Sequence, residues 1–251
     1  MCRCMLRAPL IALQFLTRAP LPWIKADEAE IGAASGFFPL AGAAIGAAAA
    51  ALYFGASRIL PHGISVIIVL IFTAAITGAI HEDGLADSLD GFGGGWTREA
   101  VLSIMKDSRI GTFGTLGLIF LVLSKYSFLS LVNPSALWRW LVFAHTASRW
   151  SMLPLCVGLK YAREQGQGKL VARRISISGA AIGTITLVAA SLLFPFRVAG
   201  LALLVSAGVT TVTGLYYRRR LGGITGDCLG ATNQLVEVAA YLLAVILAAH
   251  P

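Results

Sequence analysis

Charge is what this sequence has least of. Only 13% of its 251 residues are Asp, Glu, Lys or Arg, against roughly 25% in ordinary globular chains. Hydrophobic residues make up 57%, and the mean hydropathy is +0.78. So few charges cannot solvate a soluble surface of this size, which excludes a disordered protein, a secreted disulfide scaffold and most soluble enzymes. Cysteine is scarce too. Cys2, Cys4, Cys156 and Cys228 show no CxxC or paired His/Cys spacing, so neither a zinc site nor a disulfide framework is indicated. With no internal repeat, low-complexity tail or appended polar domain, residues 1–251 read as a single membrane domain.

What is present is a series of apolar runs of about 20 residues, the length that crosses a bilayer core. They fall near 33–55, 63–80, 112–132, 135–158, 175–195, 198–217 and 229–249. The expected fold is all-α, a polytopic integral membrane bundle of about seven transmembrane helices. Gly42 with Gly46, and Gly179 with Gly183, form GxxxG pairs that let helix backbones approach closely.

The net charge of +8 and pI of 9.7 invite a nucleic-acid reading, but the positions of the charges argue otherwise. With a cytoplasmic N-terminus and alternating spans, 15 of the 20 basic residues fall on the cytoplasmic side. They are Arg3, Arg7, Arg18, Lys25, Arg98, Lys106, Arg109, Lys160, Arg163, Lys169, Arg173, Arg174 and Arg218, Arg219, Arg220. Only Arg58 and Arg197 fall on the other side, while Lys125, Arg139 and Arg149 lie within spans. This is the positive-inside bias, and no nucleic-acid partner is needed to explain it. The N-terminal stretch has no small-residue cleavage site, and Leu6, Leu10, Leu13 and Phe15 or Leu16 recur at near-helical spacing. We expect an uncleaved amphipathic helix lying in the cytoplasmic interface and ended by Pro20 and Pro22.

The twelve acidic residues are not spread evenly: Glu82, Asp83, Asp87, Asp90, Glu99 and Asp107 all fall between 82 and 107. If the second span continues as a helix past the membrane surface, Asp83, Asp87 and Asp90 stand at i, i+4 and i+7 on one face. Three carboxylates on one face repel unless a cation neutralises them, and hard oxygen ligands select Mg²⁺, Mn²⁺ or Ca²⁺. Gly84 and Ala86 leave room beside the aspartates for a bulky phosphate ligand. Gly91, Gly93, Gly94 and Gly95 are expected to break the helix and bring backbone N–H groups to phosphate oxygens. His81 reads as a general base, a ligand or an interfacial imidazole. Thr97 and Glu99 suit the start of a short helix carrying Val101, Ile104 and Met105 toward the bilayer. Lys106 and Arg109 could clamp a phosphate, with Asp107 as a further ligand, or serve as an ordinary snorkelling pair.

A second polar cluster, GGITGDCLGATNQLVEV, precedes the last span. Asp227, Gly230, Gln234 and Glu237 recur at helical spacing with Asn233 beside them, so this helix carries polar groups into the membrane. Intramembrane ionisable residues are costly and mark functional sites. Arg149 and Lys125 are the available counter-charges, and Glu237 pairs most naturally with Arg149.

Carboxylates, glycine-rich phosphate approaches and basic clamps at a membrane surface point to phosphoryl transfer. The DGLADSLD core partly resembles the aspartate motif of CDP-alcohol phosphotransferases, but Asp87 stands where an arginine is usual and the second aspartate pair is absent. A transporter is a third reading, since Lys125, Arg149 and Glu237 could line a pathway. The fuller resemblance is to the cobalamin synthase family, the adenosylcobinamide-GDP ribazoletransferases. It is carried by LQFLTRAPLP (13–22), HEDGLADSLDGFGGG (81–95), IMKDSRIGTFG (104–114) and GGITGDCLGATNQLVE (222–237), with SRW (148–150) as a weaker match.

That resemblance implies joining of adenosylcobinamide-GDP to α-ribazole or its 5′-phosphate, with release of GMP and with Mg²⁺ as cofactor. It implies a catalytic set of His81, Asp83, Asp87, Asp90, Lys106 and Arg109, and metal ligands Asp83, Asp87, Asp90 and Asp227. Substrate contacts would come from Gly84, Gly91, Gly94, Asp107, Arg149, Gly223, Thr225, Gly226, Asn233, Gln234 and Glu237. It places the enzyme in the cytoplasmic (inner) membrane of a prokaryote with its site facing the cytoplasm. A homo-oligomer, or association with other enzymes of cobalamin assembly, is left open.

Overall fold

The structure is a computed structural model that describes residues 2–21, 24–162 and 175–249. Pro22 and four of the basic residues assigned to the cytoplasmic side, Arg163, Lys169, Arg173 and Arg174, lie outside the described residues. Among the described residues, eleven α-helices follow one another: α1 Cys2–Leu16, α2 Glu28–Ala34, α3 Phe38–Ala56, α4 His62–Thr77, α5 Ile80–Gly94, α6 Arg98–Ile104, α7 Thr112–Leu131, α8 Pro134–Gly158, α9 Ile177–Ser191, α10 Phe196–Leu221 and α11 Gly226–Ala249. A 3₁₀ turn, Ser35–Phe37, joins α2 to α3. The extended backbone pairing among the described residues is one bridge, Tyr161 to Ile224.

Each of the seven apolar runs is helical, as the bilayer requires of a chain whose backbone groups have no water to bond. Length and hydropathy together single out four of the described helical stretches as spans: Ala29–Ala56, Thr112–Leu131, Phe196–Leu221 and Gly226–Ala249. Counting α4 and α5 as one broken span makes five. The two remaining runs depart for physical reasons. Helix α9 has 15 residues, about 22 Å of rise against a hydrocarbon core of about 30 Å. Helix α8 is long enough but polar, and it can be polar because it lies in the middle. It packs against α3, α9, α10 and α11, and Phe143, Ala144, Ala147 and Leu153 are completely buried.

The outward faces carry the lipid-facing residues. Ile64, Ile67 and Ile71 on α4 are exposed, as are Leu116, Ile119, Phe120 and Leu123 on α7 and Leu201, Leu204 and Leu215 on α10. Those on α4 and α7 recur every three or four residues, and on α10 Leu215 returns to the same stripe about three turns after Leu204. The interior contacts use the expected small residues. A Cβ on Gly42 would overlap the His145 carbonyl, and one on Gly46 would lie 2.6 Å from the Leu141 carbonyl oxygen. Gly36 meets Gly179 in the same way, at 2.7 Å from its Cα. Both GxxxG pairs therefore mark real crossings, α3 on α8 and α9 on the 3₁₀ turn.

Three local expectations are corrected. The second span does not run on as one helix: Gly78 and Ala79 both take left-handed backbone angles, φ +65° and +55°, and α5 leaves α4 at 86°. The apolar face of α1 (Ala8, Ile11, Ala12, Leu16) is buried in a cluster with Phe38, Ala41, Val101 and Met105. Protein, rather than lipid, covers that face. For the same reason Val101 of α6 and Met105, just past its end, belong to this cluster instead of the bilayer; Thr97 caps α6 as expected, accepting from the Ala100 amide at 3.2 Å.

Candidate functional site

Helix α5 carries the acidic face. It begins immediately after the left-handed break, with Glu82 and Asp83 in its first turn, where negative charge complements the helix dipole. It lies across α11, and the crossing point is a glycine contact. Gly84 and Gly230 approach so closely that a Cβ on Gly84 would sit 3.0 Å from the Asp227 carbonyl oxygen and 3.2 Å from the Gly230 Cα. A Cβ on Gly230 would reach the His81 backbone at 3.2 Å. This crossing packs the backbone of Asp227, in the first turn of α11, against Gly84, the residue that follows Asp83. Asp83 is exposed and Asp87 half-buried. Gly84 thus leaves room for a helix, which is a different use from the phosphate access expected of it.

Asp90 is drawn elsewhere. Its two carboxylate oxygens accept from the Gly111 amide at 2.7 Å and the Gly114 amide at 2.8 Å, so it caps the N-terminus of α7 from another helix. The glycines after it do not break α5, which runs through Gly94. A Cβ on Gly91 would meet the Met105 side chain at 2.6 Å, one on Gly94 would meet Ile104 at 3.2 Å, and one on Gly93 would meet Phe113 at 2.6 Å. These positions receive neighbouring side chains.

The pair expected between Glu237 and Arg149 is part of a larger buried cluster. Lys125 Nζ of α7 lies 2.8 Å from Glu237 Oε1 and 3.9 Å from Glu82 Oε1. Arg149 lies 3.5 Å from Glu237 Oε2 and 2.8 Å from His145 Nδ1. His145 is itself 3.4 Å from Glu237. Gln234 donates to Glu82 at 3.3 Å and the Tyr241 hydroxyl to Glu237 at 3.5 Å. Two cations and two carboxylates so join α5, α7, α8 and α11. They neutralise one another in contact rather than lining a passage. His145 was missed in the sequence, although His145, Ser148 and Arg149 at i, i+3 and i+4 form a polar stripe within an otherwise apolar run.

His81 is 4% exposed, enclosed beneath α11 rather than open to solvent. Several buried polar atoms at this level have no hydrogen-bond partner: His81 Nε2, Glu82 Oε2, His145 Nε2, Arg149 Nε, Gln234 Oε1 and both amide atoms of Asn233. Unmade bonds of this kind are costly in a low-dielectric interior.

The basic groups expected to clamp phosphate are partly committed. Arg109 forms a two-pronged contact with Asp107, 2.6 Å for Nη2 to Oδ2 and 3.0 Å for Nε to Oδ1. That guanidinium holds the Asp107 carboxyl down at about 2, so it stays ionised throughout the physiological range. Lys106 is exposed beside them. Gly223 lets two backbones meet, since a Cβ there would overlap the Lys160 carbonyl. Thr225 accepts from the Cys228 amide at 3.2 Å, capping α11, which starts at Gly226. Arg98 donates to the carbonyls of Leu221 and Ala162, each at 2.9 Å, and Arg220 to that of Gly95 at 2.8 Å. These bonds strap the start of α6 to the end of α10.

Among the described residues, no three His, Cys, Asp or Glu side chains converge on one point. The donor chemistry nonetheless suits a hard divalent cation, because Asp83 and Asp87 on α5 and Asp227 on α11 are carboxylates, with the His81 imidazole enclosed at the same crossing. Asp83, Asp87 and Asp227 are the members of the expected set that flank this crossing; Asp90 is turned to α7.

A family model described as cobalamin-5-phosphate synthase matches residues 8–245. An adenosylcobinamide-GDP ribazoletransferase from Shewanella baltica is 36% identical over 245 residues, covering 94% of this chain and 93% of the relative. The protein of the same name from Shewanella putrefaciens is 38% identical over 247 residues, with 94% and 93% covered. That from Shewanella piezotolerans is 38% identical over 246 residues, with 96% and 95% covered. No solved structure matches the chain at a significant level.

Proposed function

The chain belongs to the cobalamin-5-phosphate synthase family, and from that membership we propose that it is an adenosylcobinamide-GDP ribazoletransferase, with its chemistry at the crossing of α5 and α11. The observation that carries this reading is the match along residues 8–245, which takes in the acidic helix, the 104–114 loop and the polar start of α11 in order. The reaction assembles the nucleotide loop of cobalamin. A hydroxyl of α-ribazole, or of its 5′-phosphate, attacks the phosphorus attached to cobinamide. The bond from that phosphorus to GMP breaks, and GMP leaves with the bonding electrons.

The residues divide the work by exposure. Asp83 and Asp87 stand at the open side of the crossing and can take the hydroxyl proton; the enclosed His81 is less suited to that role. Lys106 offers a cation to the departing phosphate. A Mg²⁺ ion would be held by Asp83, Asp87 and Asp227, and its charge would offset that of the phosphates. Asn233, Gln234 and Arg149, with their unpartnered buried atoms, are the groups a polar substrate portion would satisfy. The distribution of basic residues supports a site facing the cytoplasm, in the inner membrane of a prokaryote.

Membranes containing the protein should release GMP only when adenosylcobinamide-GDP, α-ribazole and Mg²⁺ are all present. Product formed from a CDP-lipid and an alcohol instead would overturn the reading. Asp83→Asn should abolish turnover without changing the amount of inserted protein, and full activity in that variant would sink the placement of the site.

A further inference from the structure

The stretch LQFLTRAPLP takes no part in the site as described so far, yet its arginine reaches the start of the acidic helix. The Arg18 amide donates to the Ile76 carbonyl at 2.7 Å, tying the segment after α1 to the last turn of α4. The side chain then lies across Gly78. A Cβ on that glycine would overlap Arg18 Nε and stand 2.8 Å from Cζ and 2.9 Å from Cδ. Gly78 also has φ +65°, so both its backbone angle and its neighbour favour a residue without a side chain. Two residues later α5 begins, and Asp83 is exposed one turn further on. Arg18 is itself exposed, and among the described residues its guanidinium makes no hydrogen bond or ion pair.

Charge balance makes that group informative. A nucleoside diphosphate linked to a corrinoid brings negative charge to a site already lined by aspartates, so cations must meet it. Most of the candidates are occupied. Lys125 and Arg149 are held on Glu237, Arg109 is held on Asp107, and Arg98 and Arg220 serve backbone carbonyls. Arg18 is an uncommitted guanidinium at the entry to α5, and its planar fork suits two phosphate oxygens at once. We infer that Arg18 contacts a phosphate of the diphosphate-linked donor, an inference that rests on the ribazoletransferase reading and adds a binding residue to it. A purely structural arginine, placed to favour the C-terminal dipole of α4, would be replaced well by lysine and would affect folding rather than donor affinity.

The two roles separate in a single series of wild type, Arg18→Ala and Arg18→Lys. GMP release is measured while each substrate is varied in turn, and Mg²⁺-dependent binding of GDP to the purified proteins supplies a readout independent of turnover. Loss of a charge-assisted contact should raise the donor KM, and weaken GDP binding, by roughly ten- to hundredfold in Arg18→Ala. The ribazole KM and the melting temperature should not move, and Arg18→Lys should recover only part of the loss. Unchanged GDP binding in Arg18→Ala overturns the inference. So does a fall in melting temperature that Arg18→Lys fully repairs. Wild type that binds GDP but releases no GMP overturns the ribazoletransferase reading instead, and the Arg18 contact is then judged on GDP binding.

Discussion

Replacing Lys125 with Met removes the cation that joins α7 to both α5 and α11. Its side chain is 6% exposed and that of Glu237 2%, so water cannot take over the lost interaction. At an effective dielectric of about 20, unit charges about 4 Å apart attract by about 4 kcal/mol. Arg149, 3.5 Å from the other oxygen of Glu237, offsets part of that. Breaking a buried pair from one side typically costs about 3–5 kcal/mol, and the retained arginine places Lys125→Met near the lower end, about 3 kcal/mol. For a chain of this size that is a fall in Tm of about 6–12 °C. Adding Glu237→Gln leaves Arg149 and Glu82 in the cluster, one charge of each sign. The double variant should therefore be less destabilised than the two singles added together, with a coupling of about 2 kcal/mol. Thermal unfolding of the four purified proteins in one detergent measures the cycle. Additive effects, or a loss below about 1 kcal/mol for Lys125→Met, would refute the claim that these charges form one buried unit.

Asp90→Asn tests the capping role against a catalytic one. An amide offers one acceptor oxygen where the Gly111 and Gly114 amides now have two, so stability should fall by about 1–3 kcal/mol. Activity should then follow the amount of folded protein, whereas dead enzyme of unchanged melting temperature would return Asp90 to the catalytic set. Gly84→Ala places a Cβ 3.0–3.2 Å from the α11 backbone. It should force the two helices apart at a cost of about 1–3 kcal/mol and lower kcat by displacing Asp227. Gly55→Ala meets open space and is the control, expected to be neutral or slightly stabilising; wild-type kcat in Gly84→Ala would show that the crossing does not set the site.

Much of the site was legible along the chain because its parts are local. The i, i+4, i+7 spacing of Asp83, Asp87 and Asp90 needs only a helix, and α5 is one. The polar start of α11 and the Thr97 cap of α6 were visible for the same reason. What could not be read is what each group faces. Asp90 shares a helical face with Asp83 and yet bonds to α7, because the Gly111–Gly114 turn is folded against that end of α5. The glycine run looked like a phosphate loop but is filled by Met105, Ile104 and Phe113, residues from segments that nothing local pairs with it. The break at Gly78–Ala79 was hidden, because a left-handed alanine has no distinctive sequence signal.

Low charge and apolar runs of about 20 residues were enough to mark a helical membrane protein, since a helix of that length crosses lipid with its own backbone hydrogen bonds satisfied. The concentration of the scarce carboxylates between residues 82 and 107 was equally plain along the chain. Which helix lies in the middle, which charges neutralise one another and which remain open are settled by how the helices pack. Helical periodicity is a property of neighbours in the chain, whereas the Lys125–Glu237 contact, the Gly84–Gly230 crossing and the seat of Arg18 on Gly78 each join residues distant in sequence. Such contacts exist only when whole helices pack, and packing depends on the shape of every face at once.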